Sequence, residues 1–210
     1  MAKKKNTFET QSPRNHMHVY VTRHGESYDN AAGRIGGDSG LTPRGVAYAE
    51  ALPEMLGRGG GDIDLVVSSS LRRARETAAR IPAAHHTHTS ALDEIWAGDC
   101  DGMSVEEADR ACPGRARDKL RFRYPGGGES YEDLRARVEP ALRSILKRSP
   151  PRLAVVAHKA VLRVVFALLE GRPVDPHEAV PLGRVYHYRH KGQGRYERSA
   201  ETQEDEGASA

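Results

Sequence analysis

The chain has 210 residues, with 32 basic and 29 acidic side chains, so its formal net charge is only +3. This length is typical of one domain with tails, and the near balance of charge disfavours a general nucleic-acid-binding protein. No apolar run is long enough to cross a bilayer, and the polar start does not resemble a secretory signal peptide. Two cysteines are too few for a disulfide framework or a metal set. These features favour a cytoplasmic protein with no membrane partner.

The predicted elements alternate between strands and helices along the chain. Such alternation predicts an α/β fold: a three-layer sandwich with a mostly parallel central sheet and helices on both faces. The folded domain is expected to span 17–190, with a disordered tail at 1–16 and a disordered acidic tail at 191–210. Strands are predicted at 17–22, 63–67, 153–157 and 185–188, and helices start near Thr42, Leu71, Ser104, Ser130 and Val161.

Three of these strands end in side chains that suit phosphate chemistry. Arg23 and His24 follow the first strand, Ser68 to Ser70 precede Arg73 at a helix start, and His158 follows an apolar strand. Parallel strands bring such ends to one edge of a sheet. Arginine offers a fixed fork for phosphate oxygens, a serine-capped helix start can bind phosphate, and histidine provides a nitrogen nucleophile. The pattern predicts a site for a phosphoryl group.

Two further segments supply possible partners for that site. Glu94 lies beside Ile95 and Trp96 in a segment that places acids among apolar residues, an environment that favours the protonated acid needed to protonate a leaving oxygen. A basic stretch at 115–123 contains Arg117 and Lys119 and is suited to a second phosphate on a small substrate. The histidines at 85, 86 and 88 alternate faces if they form a strand, so we do not expect them to converge on one metal.

Five motifs resemble the histidine phosphatase superfamily, which includes the cofactor-dependent phosphoglycerate mutases. Within it, the chain resembles most closely the fructose-2,6-bisphosphatase domain of the bifunctional 6-phosphofructo-2-kinase/fructose-2,6-bisphosphatases. Arg23-His24-Gly25-Glu26-Ser27 is shared across the superfamily. Two motifs point to the bisphosphatase branch: Gly33-Arg34-Ile35-Gly36-Gly37-Asp38-Ser39-Gly40-Leu41 and Gly128-Glu129-Ser130-Tyr131-Glu132-Asp133-Leu134. The other two distinctive motifs are Glu94-Ile95 with Ala97-Gly98, and Arg123-Tyr124-Pro125.

The resemblance implies a role for each matching position. His24 would become the phosphohistidine, and Arg23, Arg73 and His158 would bind the transferred phosphoryl group. Glu94 would first donate a proton and then activate water. Asn30 and Gly36 would contact the reacting end of the substrate. The sugar and its 6-phosphate would contact Arg117, Lys119, Tyr131 and Arg163. No metal or cofactor is implied.

Two departures from the family pattern concern the substrate. Lys159 stands where the family usually has Gln, and it adds a cation at the phosphate site. Val105 stands where the family has a substrate-contacting Tyr, so a possible hydrogen bond, typically worth ~1 kcal/mol, is lost. The Gly-rich Lys-Ser/Thr loop of the kinase half does not occur in this sequence.

The expected activity is hydrolysis of the 2-phosphate of fructose 2,6-bisphosphate to fructose 6-phosphate and phosphate. The alternatives are a broader sugar-phosphate phosphomonoesterase, a mutase-like enzyme, and a catalytically silent binding module. The expected partner is a small phosphorylated sugar, with no nucleic acid and no membrane.

Overall fold

The part of the chain that the structure describes contains six strands and six α-helices. The structure is a computed structural model, and it describes residues 17–57 and 60–203. The strands are β1 His18–Arg23, β2 Ile63–Ser69, β3 Ala83–Thr89, β4 Arg152–Ala157, β5 Arg184–His190 and β6 Tyr196–Gln203. The helices are α1 Tyr28–Ala31, α2 Pro43–Gly57, α3 Arg72–Ala78, α4 Val105–Ala111, α5 Tyr131–Lys147 and α6 Lys159–Glu170.

The strands form one sheet in the spatial order β3-β2-β4-β1-β5-β6. The four strands from β3 to β1 are parallel, whereas β5 and β6 each run antiparallel to the preceding neighbour. Because β1, β2 and β4 are adjacent and parallel, their carboxyl ends lie at one edge of the sheet. That edge carries Arg23, Ser69 and His158, as the sequence predicts.

Each face of the sheet buries its own apolar cluster. Every residue of β4 is buried, as expected of a central strand covered on both faces. Leu134 of α5 and Phe166 of α6 pack on one face. Leu52 of α2 and Ala74 of α3 pack on the other. The predicted three-layer α/β sandwich is confirmed, and no helix within the described ranges is long and apolar enough to cross a membrane.

Hydroxyl caps begin two of the helices at the predicted residues. The Ser104 hydroxyl accepts from the backbone N–H of Glu107 at 3.1 Å, which starts α4. The Ser130 hydroxyl accepts from the backbone N–H of Asp133 at 3.2 Å, which starts α5. In each case the acidic side chain bonds back to the serine N–H and completes a capping box.

The prediction of a disordered tail from residue 191 is wrong as far as residue 203. Strand β6 pairs antiparallel with β5 over its whole length. Within this strand, Arg198 forms an ion pair with Glu170 at 2.7 Å and stacks 4.6 Å from the Phe166 ring. Backbone pairing and ion pairs order an edge strand whose composition is typical of disorder. The tails predicted at 1–16 and after 203 lie outside the described residues.

The predicted serine cap of the third helix is also wrong. Helix α3 begins at Arg72, its N-cap is Leu71, and no side chain caps it. The helix ends at Ala78 instead of continuing to residue 81. The Ser69 and Ser70 hydroxyls donate instead to the carboxylate of Asp93, whereas the Ser68 hydroxyl donates to the carbonyl oxygen of Ser69.

Candidate active site

His24 lies in the turn that follows β1, and close backbone packing holds it in place. Its N–H donates to the carbonyl oxygen of Ala157 at 3.0 Å, at the end of β4. Gly25 is required because a Cβ at this position would lie 2.3 Å from the carbonyl oxygen of Gly45. The Gly25 N–H donates to the Thr77 hydroxyl at 3.0 Å, which joins the turn to α3.

The His24 side chain is a buried neutral imidazole with its lone pair on Nε2. Its Nδ1 is 2.7 Å from the carbonyl oxygen of Gly25, and since a carbonyl only accepts, Nδ1 carries the proton. Burial, followed by the positive charges of Arg23 and Arg73, lowers the pKa of His24 well below its usual value. Near neutral pH, Nε2 is therefore available as a nucleophile.

His158 lies beside His24, with the two ring centroids 4.9 Å apart. Its Nε2 is 2.7 Å from the Ser69 hydroxyl oxygen. Its buried Nδ1 has no hydrogen-bond partner among the described residues. Burial, and then electrostatic interactions with His24 and the nearby arginines, lower the pKa of His158 well below its usual value. A buried polar atom left without a partner is costly, so Nδ1 is well placed to contact a ligand.

Two arginines bring positive charge to the same place. The Arg73 guanidinium donates to His24 Nε2 at 3.2 Å and to the carbonyl oxygen of Gly37 at 2.5 Å. The Arg23 guanidinium donates to the carbonyl oxygen of Val180 at 3.3 Å, and its buried Nε is unpaired within the described part of the chain. Two largely buried cations with spare donors favour an anion that accepts several hydrogen bonds.

Glu94 lies in a loop after β3, and its side chain is next to the first turn of α6, where it faces these cations. Its carboxylate accepts from the backbone N–H groups of Ala160 and Ile95, each at 3.1 Å. Its negative charge interacts with both Arg23 and Arg73. An acid in this position can exchange a proton with an oxygen that leaves the phosphoryl group.

Arg137 of α5 holds the loop that carries Glu94, a role that the sequence analysis missed. Its guanidinium donates to the carbonyl oxygens of Ala91, Asp93 and Glu94 at 3.0, 2.8 and 3.0 Å. It also forms a two-point ion pair with Glu129 at 2.6 and 2.8 Å. Glu129 belongs to a motif that the family resemblance identified, but no local pattern distinguishes Arg137 from the other arginines of α5.

The glycine-rich segment 33–40 forms a loop over the site, as predicted. Gly36 has a φ of 71°, and a Cβ there would lie 1.6 Å from a carboxylate oxygen of Asp101. The neighbouring Gly37 N–H donates to the same carboxylate at 3.3 Å, while its carbonyl oxygen accepts from Arg73. Only glycine allows this approach, which brings the loop onto the phosphoryl site.

A cleft of about 410 Å³ opens beside these groups. Gly36, Arg73, Glu94 and Trp96 are among its lining residues. Trp96 is 49% exposed, so an indole ring lies at the surface of the cleft. The cleft gives a ligand access to the predicted acid and to one of the predicted phosphate-binding arginines.

A second positive region contains four of the predicted substrate-binding residues. Arg163 donates to the Tyr131 hydroxyl at 2.8 Å. Burial, and then the charge of Arg163, lowers the pKa of Lys159 and lowers that of Lys119 to about 8. Neither lysine has a hydrogen bond or ion pair with another described residue. The charge of Lys159 also interacts with Arg23 and Glu94, so Lys159 lies on the side of this region that faces the phosphoryl site.

Three residues named by the resemblance are less closely joined to the site. Arg117 is exposed, and its side chain has no hydrogen bond or ion pair within 17–57 and 60–203. The Asn30 side chain accepts from the Ser27 N–H at 3.2 Å and thereby caps α1. Val105 is 45% exposed at the start of α4. Their roles toward a substrate remain predictions.

The histidines of β3 lie away from this site. His85, His86 and His88 are exposed on the edge strand. Within the described residues, no group of three or more metal-ligating side chains is arranged to hold an ion.

Comparisons with known proteins agree with this geometry. The chain is 37% identical over 172 residues to fructose-2,6-bisphosphatase of Saccharomyces cerevisiae, covering 79% of this chain and 37% of that protein. It is 42% identical over 174 residues to a 6-phosphofructo-2-kinase/fructose-2,6-bisphosphatase of Gallus gallus, covering 80% of this chain and 36% of that protein. The chain thus spans less than two-fifths of the length of these curated relatives.

A solved structure shares the fold over nearly its whole length. It is a mycobacterial glucosyl-3-phosphoglycerate phosphatase in complex with VO3, with a TM-score of 0.74 and 25% sequence identity. The match covers 88% of this chain and 98% of that one. The model of the histidine phosphatase superfamily (branch 1) matches residues 19–200, which include both histidines, both arginines and Glu94. On this match and the shared fold, the chain belongs to the histidine phosphatase superfamily, branch 1.

Proposed function

We propose that the chain is a phosphatase that hydrolyses the 2-phosphate of fructose 2,6-bisphosphate, releasing fructose 6-phosphate and phosphate. The observation that carries the proposal is the pairing of two cation-lined regions beside one nucleophile. Arg23, Arg73 and His158 surround His24, while Lys119 and Arg163 mark a second region. Two such regions suit a substrate with two phosphates. The 37–42% identity to bisphosphatases and bifunctional enzymes supports this choice.

In the first step, Nε2 of His24 attacks phosphorus while Glu94 protonates the leaving oxygen of the sugar. The N–P bond forms as the P–O bond to the sugar breaks, and fructose 6-phosphate leaves. Arg23 and Arg73 neutralise the equatorial oxygens as charge shifts, which is the largest contribution expected in phosphoryl transfer.

In the second step, the Glu94 carboxylate takes a proton from water. The water oxygen attacks the phosphohistidine, the N–P bond breaks, and phosphate is released with His24 restored. Water reaches Glu94 through the cleft that both this residue and Arg73 line. The reaction needs no metal.

The remainder of the substrate would lie against the second positive region. Lys119, Lys159 and Arg163 would hold the 6-phosphate, with Tyr131 fixing the Arg163 guanidinium. Arg117 would contribute from the protein surface. Asn30 and Gly36 would contact the reacting end of the sugar.

A broader sugar-phosphate phosphomonoesterase is the second candidate. Val105 supports it, because an exposed valine provides no hydroxyl for a sugar. The structural match to a glucosyl-3-phosphoglycerate phosphatase supports it as well. Both candidates act on a small phosphorylated sugar. Both are also compatible with a cytoplasmic location.

Substrate profiling tests the proposal. We expect kcat/KM for fructose 2,6-bisphosphate to exceed that for fructose 6-phosphate, glucosyl-3-phosphoglycerate and phosphoglycerates by about 100-fold or more. Acid-labile phosphate should be trapped on the protein during turnover and should be lost in His24→Ala. Preference for another ester would reject the substrate, whereas absence of a phosphoenzyme would reject the mechanism.

A further inference from the structure

Asp93, the residue before Glu94, is connected to His158 through a single hydroxyl group. The Ser69 hydroxyl oxygen is 2.7 Å from a carboxylate oxygen of Asp93 and 2.7 Å from Nε2 of His158. The Leu71 N–H also donates to this oxygen at 3.0 Å. Ser69 and His158 are both fully buried, so water does not compete for these bonds. The bonds form a continuous path from a carboxylate to the second histidine.

The position of each proton on this path follows from the groups involved. The Ser69 hydroxyl has one proton, and the Asp93 carboxylate only accepts, so that proton lies on the bond between them. The Leu71 N–H only donates. The Ser69 oxygen therefore accepts from His158, whose proton lies on Nε2. A lone pair remains on Nδ1, the buried nitrogen with no partner among the described residues.

The two histidines thus carry their protons on opposite nitrogens. We propose that Asp93, acting through Ser69, is a positioning residue that fixes this tautomer of His158 and stabilises its positive charge during phosphoryl transfer. The inference rests on the proposed phosphatase function, because it assigns a proton within that reaction.

The proton that reaches His158 comes with the substrate. A monoanionic phosphoryl group carries one P–O–H, which donates to the lone pair on Nδ1. When the proton moves, the O–H bond breaks and an N–H bond forms at Nδ1, leaving an imidazolium and a dianionic phosphoryl group. The proton returns to phosphate when the product leaves. The imidazolium then donates to Ser69 on one side and to the phosphoryl group on the other.

The carboxylate is needed because the surroundings of His158 oppose a positive charge. Burial lowers the pKa of His158 in the protein without ligand, and the nearby Arg73 and Arg23 lower it further. The phosphoryl group offsets part of that charge, and Asp93 offsets a further part through Ser69. In a buried network, such a hydrogen-bonded carboxylate acts with little screening.

Ser70 offers a matched control. Its hydroxyl donates to Asp93 at 2.7 and 2.9 Å, and its N–H donates to the same carboxylate at 2.8 Å. The path from Asp93 to His158 does not pass through the Ser70 hydroxyl. Ser70→Ala therefore weakens the support of Asp93 without breaking the path.

Nitrogen NMR of the free, histidine-labelled protein tests the tautomer without any substrate. We expect His158 to be protonated on Nε2 in the unsubstituted chain and in Ser70→Ala. In Asp93→Asn, the amide can donate to Ser69 and release the serine proton toward Nε2, so the Nδ1–H tautomer should increase. The proposal is overturned if His158 already carries its proton on Nδ1, or if Asp93→Asn leaves its tautomer unchanged.

Kinetics with p-nitrophenyl phosphate and with fructose 2,6-bisphosphate test whether Asp93 stabilises the positive charge of His158. Asp93→Asn and Ser69→Ala should lower kcat/KM by about 10- to 100-fold, mainly through kcat. Without the carboxylate, the His158 imidazolium should lose its proton at lower pH in the substrate complex, so the alkaline limb of the kcat profile should move to lower pH. Ser70→Ala should keep the limb in place. Loss of thermal stability without a shifted limb would indicate a purely structural role and reject the proposal. Turnover of the synthetic ester alone would reject the bisphosphate as substrate and leave the role of Asp93 intact.

Discussion

The Nε atom of Arg73 lies 3.2 Å from Nε2 of His24 and donates a hydrogen bond to the lone pair of the proposed nucleophile. This contact orients the imidazole ring, since Nδ1 is held at the same time by the carbonyl oxygen of Gly25. The positive charge of Arg73 also contributes to the low pKa of His24, after burial and Arg23. The Arg73 guanidinium thus orients the ring and contributes to keeping it neutral.

Replacing Arg73 with Gln should lower kcat/KM by about 100-fold or more, because a donor to the transition-state oxygens is lost. Removing the positive charge should also raise the pKa of His24, so the low-pH limb of the kcat/KM profile should move to higher pH. Arg75→Gln, an exposed arginine on the same helix, is the control and should leave the limb in place. An Arg73→Gln profile with an unmoved low-pH limb would contradict the assignment of that limb to His24.

Replacing Arg137 with Lys should weaken acid catalysis by Glu94 and leave nucleophilic attack by His24 unchanged. A lysine cannot make the bonds to Ala91, Asp93, Glu94 and Glu129 at once, so the loop that carries the acid loses its position. We expect kcat to fall about 10-fold or more for sugar phosphates and far less for p-nitrophenyl phosphate, whose leaving group needs little protonation.

The matched control for Arg137 lies two residues earlier on α5. Arg135 is an exposed residue whose ion pair is with Glu139 on the same helix. Arg135→Lys should keep the ratio of the two activities. If Arg137→Lys lowered kcat equally for both esters, the prediction that Arg137 supports the acid Glu94 would be wrong.

Lys119 should make binding of the second phosphate depend on pH. Its pKa is lowered to about 8 by burial and by Arg163 and Lys159, so in the free protein its positive charge is present below pH 8 and lost above it. KM for fructose 2,6-bisphosphate should therefore rise as pH increases through 8. Lys119→Arg should abolish that rise, and KM for p-nitrophenyl phosphate, which has no second phosphate, should not show it. A KM for the bisphosphate that stays flat from pH 7 to 9 would place Lys119 outside the binding site.

His187 should make the fold less stable in mild acid. Its ring stacks 4.5 Å from Tyr20 and hydrogen-bonds to His18 at 2.8 Å. Burial, and then His18, lowers the pKa of His187 from 6.5 to about 4. Between pH 6.5 and 4, the unfolded chain therefore binds a proton at His187 that the folded chain does not bind. The contribution of His187 to the unfolding free energy is fully present above pH 6.5 and is lost as pH falls toward 4.

The contribution of His187 is expected to be about 1–2 kcal/mol, less than the full pKa shift because the ring is partly exposed. Urea denaturation of His187→Gln between pH 7.5 and 4.5 should show a smaller loss of unfolding free energy than the unsubstituted chain. The buried His24 and His158 should still produce part of the loss. His85→Gln, on the exposed edge strand, should leave the dependence unchanged. A His187→Gln curve parallel to that of the unsubstituted chain would be contrary to this prediction.

Local patterns predicted most of the fold. The apolar run at 153–157 becomes a strand buried at every position, and the hydroxyl caps at Ser104 and Ser130 begin their helices. Hydrophobic periodicity and capping motifs involve residues that are close in sequence, so they can be recognised without tertiary contacts. The polar strand β6 could not be recognised in this way, because its order comes from pairing with β5 and from the Arg198–Glu170 ion pair.

By itself, the sequence determined which chemical groups belong to the proposed site: strand ends indicate His24, Arg73 and His158, apolar neighbours indicate Glu94, and the family resemblance assigns a role to each. Only the tertiary structure decided how those groups are held and protonated. The proton positions on His24 and His158 depend on partners at Gly25 and Ser69, and the support of Glu94 depends on Arg137. Hydrogen bonds between residues tens of positions apart leave no local pattern, since they depend on distance and angle in the folded chain.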